Sequence, residues 1–221
     1  MLKLVMVIML TVLMKFLAPQ KLVSNLKPSD SNMNSIKDNE SLIKRLEHVN
    51  NWINNCDQKA GILLAFMGVL LPLILTADFF VIRLSVLVEP IKSFLEKGDG
   101  LFDWCNFVMI ATFVIMLFFA ARTIYYLVFV LIGNTDYGKY KQEELENKSS
   151  LFYGSIAGMN YKDYKEKLLN SQYNSTNDLI SQIYVNSVIC KSKFDNYKFG
   201  LRNMVYFLCM FAITYILFLF K

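Results

Sequence analysis

Apolar residues are gathered into long blocks along this chain rather than spread through it. Three blocks stand out, at 61–88, 104–133 and 201–220. Each holds about 20 or more largely apolar residues, enough to cross a hydrocarbon core of roughly 30 Å at 1.5 Å per residue. Trp104, Tyr125, Tyr126 and Tyr206 lie near the block ends, where aromatic side chains straddle the membrane–water interface. A fourth, shorter stretch runs from Leu4 to Met14, between Lys3 and Lys15. Its length resembles a signal-peptide core, but Leu-Ala-Pro-Gln at 17–20 is a poor cleavage site. A short extra span, an interfacial anchor and an over-extended start (Met14 or Met33 being the true one) are the three readings. A fourth helix at or in the membrane is preferred. The pattern therefore predicts an all-α membrane protein with three or four transmembrane helices.

The polar segments between the blocks are also helical in pattern. Leu42, Leu46, Val49 and Ile53 form one apolar stripe after Ser41, a candidate cap. Nothing stops that helix before 61. In the second polar segment, Ile180, Ile183, Cys190, Phe194, Tyr197 and Leu201 recur at near coiled-coil spacing and again run into a span. Two stalks, each continuous with a membrane helix, are expected to pack together as a helical cytosolic bundle. Between them, 136–146 reads as a charged juxtamembrane helix and 148–177 as loop plus a short helix. An insert of this size has little core of its own.

Charge then sets the topology. The 89–103 loop holds only Lys92 and Lys97, against six Lys/Arg in 20–60 and ten in 134–203. Basic residues near span ends favour the cytosol. The expected organisation is an apolar helix at 1–19 and a cytosolic linker and stalk at 20–60. A two-span hairpin follows at 61–133 with its 89–103 loop outside, then a cytosolic sensor region at 134–200 and a final span at 201–221. Asp78 and Arg83 read as caps on the outer end of the first main span, with Pro72 kinking it. The mean hydropathy is +0.36 and the net charge +5, without a basic stripe, so no nucleic-acid partner is expected.

Chemistry is sparse. Cys56, Cys105, Cys190 and Cys209 lack C-x-x-C spacing and read as small apolar fillers. His48, the only histidine, reads as a surface residue. No nucleophile elbow, Walker loop, dinucleotide fingerprint or metal-ligand cluster occurs, so neither catalysis nor a metal cofactor is expected. The informative place is the junction, where Asp57 and Lys59 stand one turn before the first apolar block. A charge near hydrocarbon costs several kcal/mol unless paired or hydrated. The two residues either mark the lipid boundary or couple a sensor to the membrane part. Arg122, inside the second block, reads as a boundary residue with Tyr125 and Tyr126, the alternative being a pore lining.

Four elements in order carry a family resemblance: W-I-x-x-x-D-x-K-A-x-I-L-L-A-F at 52–66, Phe-Tyr-Gly-Ser-Ile-Ala at 152–157, Asp-Leu-x-x-Gln-Ile at 178–183 and Ile-x-x-x-Lys-Phe at 189–194. From about Leu42 onward the chain resembles the Pycsar transmembrane effectors, bacterial anti-phage membrane proteins. The resemblance implies a partner cyclase that makes cCMP or cUMP on infection. It also implies an oligomeric, multi-pass inner-membrane effector that impairs the membrane in response and causes abortive infection. A cyclic mononucleotide offers one anion, a flat base and a ribose, so it needs cations, stacking faces and amides. Under that reading Lys59, Lys193 and Arg202 supply charge, Trp52, Phe152 and Tyr153 stacking, and Gln182 and Asn186 a pyrimidine-reading edge. Asp57 and Lys59 are the coupling residues. The plainer roles are membrane anchoring for Lys193 and Arg202, core packing for Trp52, a helix surface for Gln182, a tight turn or close helix approach at Gly154, and a stalk cation as partner for Asp57. Two alternatives stay open: gating by a cyclic oligonucleotide, and a non-enzymatic scaffold that binds a cytosolic partner.

Overall fold

The computed structural model describes residues 39–97, 104–132, 149–170 and 175–220, all within one compact unit. The apolar stretch at 4–14, the expected helix at 136–146 and the tip of the 89–103 loop lie outside the described residues. Six helices are described: α1 (Asn39–Thr76), α2 (Asp78–Lys97), α3 (Trp104–Leu131), α4 (Tyr153–Ala157), α5 (Tyr161–Leu169) and α6 (Ser175–Leu219). Of these, α1, α3 and α6 are long and apolar enough to cross a membrane. Both stalk helices continue into their spans without a break, as the absence of stop signals predicted.

The three long helices interlock along heptad seams. Buried positions are 56, 60, 63, 67, 70 and 74 in α1 and 106, 109, 113, 116, 120, 123, 127 and 130 in α3. In α6 they include 193, 200, 204, 207, 211, 214 and 218. Steps of three and four residues keep one face turned to its partners over the whole length, the signature of left-handed supercoiling. Side chains off these seams, such as Ile62, Val69, Val114, Phe118, Ile213 and Ile216, are exposed and apolar, the composition a hydrocarbon solvent tolerates. Inside a membrane such seams are held by close packing rather than by the hydrophobic effect.

Helices α1 and α6 run parallel in constant register. Asn39 meets Ser175, Asn50 meets Asn186 and Asp57 meets Lys193, each pair 136 residues apart in sequence. Helix α3 runs antiparallel to α6, pairing Val130 with Lys193, Tyr126 with Phe199 and Phe119 with Tyr206.

Two expectations need correcting. The α6 seam was placed on Ile180, Ile183, Cys190, Phe194, Tyr197 and Leu201, but only Cys190 of these is fully buried, and Ile180 is exposed. The true seam is rotated by about one position onto Leu179, Gln182, Lys193 and Gly200. Polar residues and glycine occupy the buried face, so apolar spacing selected its neighbour. The 61–88 block is also not one helix. Pro72 has no amide hydrogen to donate, and the helix ends after Thr76, whose hydroxyl donates to the Pro72 carbonyl at 2.8 Å. Helix α2 then starts at Asp78, an acid in its first turn, and continues to Lys97, so residues 89–97 are helical. Phe80, buried against Phe113, Phe211 and Phe218, ties its start to the bundle.

At Gly200, α6 packs close against α3. A Cβ there would stand 3.0 Å from Leu127 Cδ2 and 3.2 Å from its Cγ. Gly200→Leu is expected to cost about 1–3 kcal/mol through overpacking, seen as a lower melting temperature of the detergent-solubilised protein. Gly68→Leu, at a glycine with open space around it, should leave that temperature unchanged; equal melting of the two variants counts against the close approach.

Candidate functional site

The last four carbonyls of a helix lack intrahelical partners, and in α3 one of them is satisfied from another helix. The Lys193 ammonium donates to the Val130 carbonyl at 2.6 Å and to Asp57 Oδ1 at 2.7 Å. One side chain of α6 therefore caps the C-terminus of α3 and pairs with α1. A cation there also opposes the negative end of the helix dipole. Lys193 is 7% exposed, so its charge is tolerable only because both acceptors are in place. The Asp57 side chain keeps about a third of its surface in water, at 33%. The stalk cation expected for Asp57 is thus Lys193.

Cys56 and Cys190 pack beside this knot, both buried. The Cys56 thiol, in the stalk just before the apolar block, is pushed up to about 11, first by burial and then by the neighbouring Asp57 carboxylate. A thiol so far from ionising is a filler, as read from its isolation. Cys105 and Cys209 instead lie on the exposed exterior, as does His48 on the stalk.

Below the knot the α1–α6 seam is held by amides. Asn186 Nδ2 donates to Asn50 Oδ1 at 2.9 Å, and Thr176 Oγ1 donates to Asn39 Oδ1 at 2.8 Å. Gln182 is buried on the same face of α6. Asn186 and Lys193 are therefore already engaged within the seam, and Lys59 is half-buried two residues, about half a turn, beyond Asp57's rung. Trp52 is 55% exposed, on the outside of α1 rather than in a core.

A second polar centre joins two of the sequence elements. Asp178, in the first turn of α6 and 0% exposed, accepts the Ser150 amide and the Ser150 hydroxyl, each at 2.8 Å on Oδ2. Ser149, also fully buried, accepts the Leu151 amide through its hydroxyl at 3.0 Å. This latch anchors the start of the segment that carries α4 and α5 onto the stalk. Directly after it, the Phe152 and Tyr153 rings meet at 4.8 Å. The Phe152 ring folds back over Gly154, where a Cβ would lie 2.5 Å from its Cε1. Gly154 thus makes room for the ring of its near neighbour in sequence, a local contact rather than the approach of another helix. Tyr153 faces outward.

Arg202 stands apart from these groups, about nine residues along α6 from Lys193, with its guanidinium 5.0 Å from the Phe199 ring centre. Arg122 lies on the exterior of α3, where its Nη2 donates to Tyr126 Oη at 3.0 Å. It does not face the seam of its own bundle.

Asp178, Ser149, Ser150 and Gly200 were not among the candidate residues. Asp178 had a signal, as an acid in a first helical turn within a quoted motif, but an aspartate is rarely buried, so sequence alone favoured a surface place. The capped Val130 carbonyl is backbone and has no side-chain signature.

Fold and site together define an all-α membrane protein with three helices, among the described residues, long and apolar enough to cross a membrane, in which two stalk helices are locked to the end of the helix packed between them. The profile of the Pycsar effector protein domain, PycTM, matches residues 41–220. The chain is also 30% identical over 184 residues to the Pycsar effector protein GmPycTM of Gulbenkiania mobilis, covering 82% of this chain and 93% of that protein. This chain belongs to the Pycsar transmembrane effector family. No solved structure matches it.

Proposed function

We propose that this protein is the inner-membrane effector of an anti-phage system. A partner cyclase makes a cyclic pyrimidine mononucleotide, cCMP or cUMP, on infection; the protein binds it without catalysis and impairs the membrane as an oligomer. Membership of the Pycsar effector family supports the setting. The observation that carries the mechanism is the Asp57–Lys193–Val130 knot.

A ligand moves an equilibrium only through different affinity for two states. A nucleotide phosphate near the knot competes with Asp57 for Lys193, and the base stacks on Trp52, the outward aromatic five residues before Asp57 on α1. Drawing the ammonium toward the ligand uncaps α3 and loosens it from the stalk pair. Binding energy at the stalk thereby reaches a membrane helix.

Liposome leakage by the purified full chain tests the proposal, titrated with cCMP, cUMP, cAMP and a cyclic dinucleotide. Leakage with cCMP or cUMP alone is expected. Leakage driven by the cyclic dinucleotide, or none with any nucleotide, would overturn the reading.

A further inference from the structure

Arg122 and Arg202 sit on different helices yet at one depth. Helices α3 and α6 pair antiparallel, with Tyr126 against Phe199 and Phe119 against Tyr206. Position 122 therefore falls level with about 203. The two guanidiniums flank one aromatic pair: Arg122 is 5.6 Å from the Tyr126 ring centre, Tyr126 stacks on Phe199 at 5.5 Å, and Arg202 is 5.0 Å from Phe199. Neither arginine has an acidic partner among the described residues.

Two exposed arginines at mid-bilayer would each cost about 2.5–3.5 kcal/mol on insertion scales, so their level has to be one that phosphate and water reach. The lengths agree. From Arg122 to Trp104, and from Arg202 to Phe220, there are about 18 residues, roughly 27 Å of helix. That is close to the hydrocarbon thickness of about 30 Å. Trp104 is exposed at the far end, and Tyr125 and Tyr206 are exposed near the arginines, two aromatic belts at the right separation. The full apolar length of α3, 28 residues or roughly 42 Å, is too long to lie wholly in hydrocarbon.

We infer that Arg122 and Arg202 form a binding site for anionic phospholipid at the cytosolic leaflet. Each guanidinium engages a lipid phosphate, while the Phe118, Tyr126 and Phe199 rings hold the guanidiniums and meet the glycerol and upper acyl region. Guanidinium suits this role because its planar donors match phosphate oxygens two at a time. It stays charged at the interface and keeps its stacking on the rings. The assignment goes beyond the proposed signalling role. It places the lipid edge near 66 on α1, 122 on α3 and 202 on α6, and the Asp57–Lys193 knot about nine residues, or roughly 13 Å, below it in the cytosol.

The test is native mass spectrometry of the full chain purified in detergent, titrated with phosphatidylglycerol, with diacylglycerol of the same acyl chains and with inorganic phosphate. Phosphatidylglycerol is expected to be retained at least tenfold more tightly by the wild type than by Arg122→Gln/Arg202→Gln. Lys191→Gln, an exposed stalk lysine, controls for net charge and should bind as wild type does. Circular dichroism checks that the double variant keeps its helices. Where it does not, the single variants Arg122→Lys and Arg202→Lys replace it, and each should bind about threefold more weakly because charge remains but the paired donors are lost. Equal retention by wild type and arginine variants overturns the site, as does diacylglycerol binding as well as phosphatidylglycerol. Inorganic phosphate displacing the lipid at equal concentration shows an ion site and overturns the lipid assignment.

Discussion

Replacing Lys193 by methionine is expected to cost the folded protein about 2–3 kcal/mol and to abolish its response to ligand. Removing one partner of a fully buried pair costs about 3–5 kcal/mol, and the figure here is lower because Asp57 still reaches water. Two groups lose their donor at once, the Asp57 carboxylate and the Val130 carbonyl. Asp57→Asn should cost only about 1 kcal/mol, since an amide oxygen still accepts and Lys193 still caps α3. The double variant should be less destabilised than the two single effects added, because Lys193→Met has already removed the interaction. Exchanging the charges, Asp57→Lys with Lys193→Asp, should not restore stability, because a carboxylate at 193 faces the Val130 carbonyl. Thermal unfolding in detergent measures all four. The functional effects differ in kind. If ligand phosphate competes with Asp57, then Asp57→Asn lowers the cyclase induction needed for growth arrest, whereas Lys193→Met, with α3 uncapped from the start and no ammonium to meet the phosphate, should make arrest independent of induction. Wild-type melting and wild-type arrest in Lys193→Met would reduce the knot to a bystander.

Asp178→Ala should release the segment that begins at Ser149 without unfolding the bundle. Its carboxylate accepts both Ser150 donors while fully buried, and hydrogen bonds to a charged group are worth about 1.5–3 kcal/mol. The variant also loses a favourable charge at the start of α6. The Ser150 amide is expected to exchange its hydrogen more than tenfold faster, with exchange in the α3 core unchanged. Asp178→Asn should fall between the two, since its oxygen accepts but carries no charge. Unchanged exchange at Ser150 in the alanine variant would show that the latch is not what holds this segment.

How much of this was legible beforehand depends on which residues carry the signal. Helix α3 was fully readable because its 28 residues are nearly all apolar. The stalk of α1 was readable because Leu42 and Val49 occupy its buried face. In α6 the buried face holds Asp178, Gln182, Lys193, Gly200 and Asn203, so hydropathy pointed one position away, onto Ile180 and Phe194. The break at Ala77 was half legible: Pro72 and the Asp78–Arg83 cap placed the end of the first span close to Thr76, but continuous apolar composition through 88 hid that a second helix starts at once from Asp78. At the site, Asp57 and Lys193 were both singled out, one for coupling and one for ligand contact, and the structure makes them partners. Their pairing across 136 residues leaves no local trace, because i and i+4 spacing reports neighbours on one helix only.

The constant offset between α1 and α6 limits how a signal can travel. The Asn39–Ser175, Asn50–Asn186 and Asp57–Lys193 rungs share one register. Sliding one helix along the other by a residue would break all three together. A slide of a whole heptad brings Asn50 opposite Lys193 but sets Asp57 against Gly200, leaving a carboxylate beside a glycine and the packed wall of α3. No neighbouring register is stocked with partners, so the two stalks cannot act as a ratchet. Under the proposed function the two stalks would move as one lever, and the displacement reaching the bilayer would be that lever turning against α3.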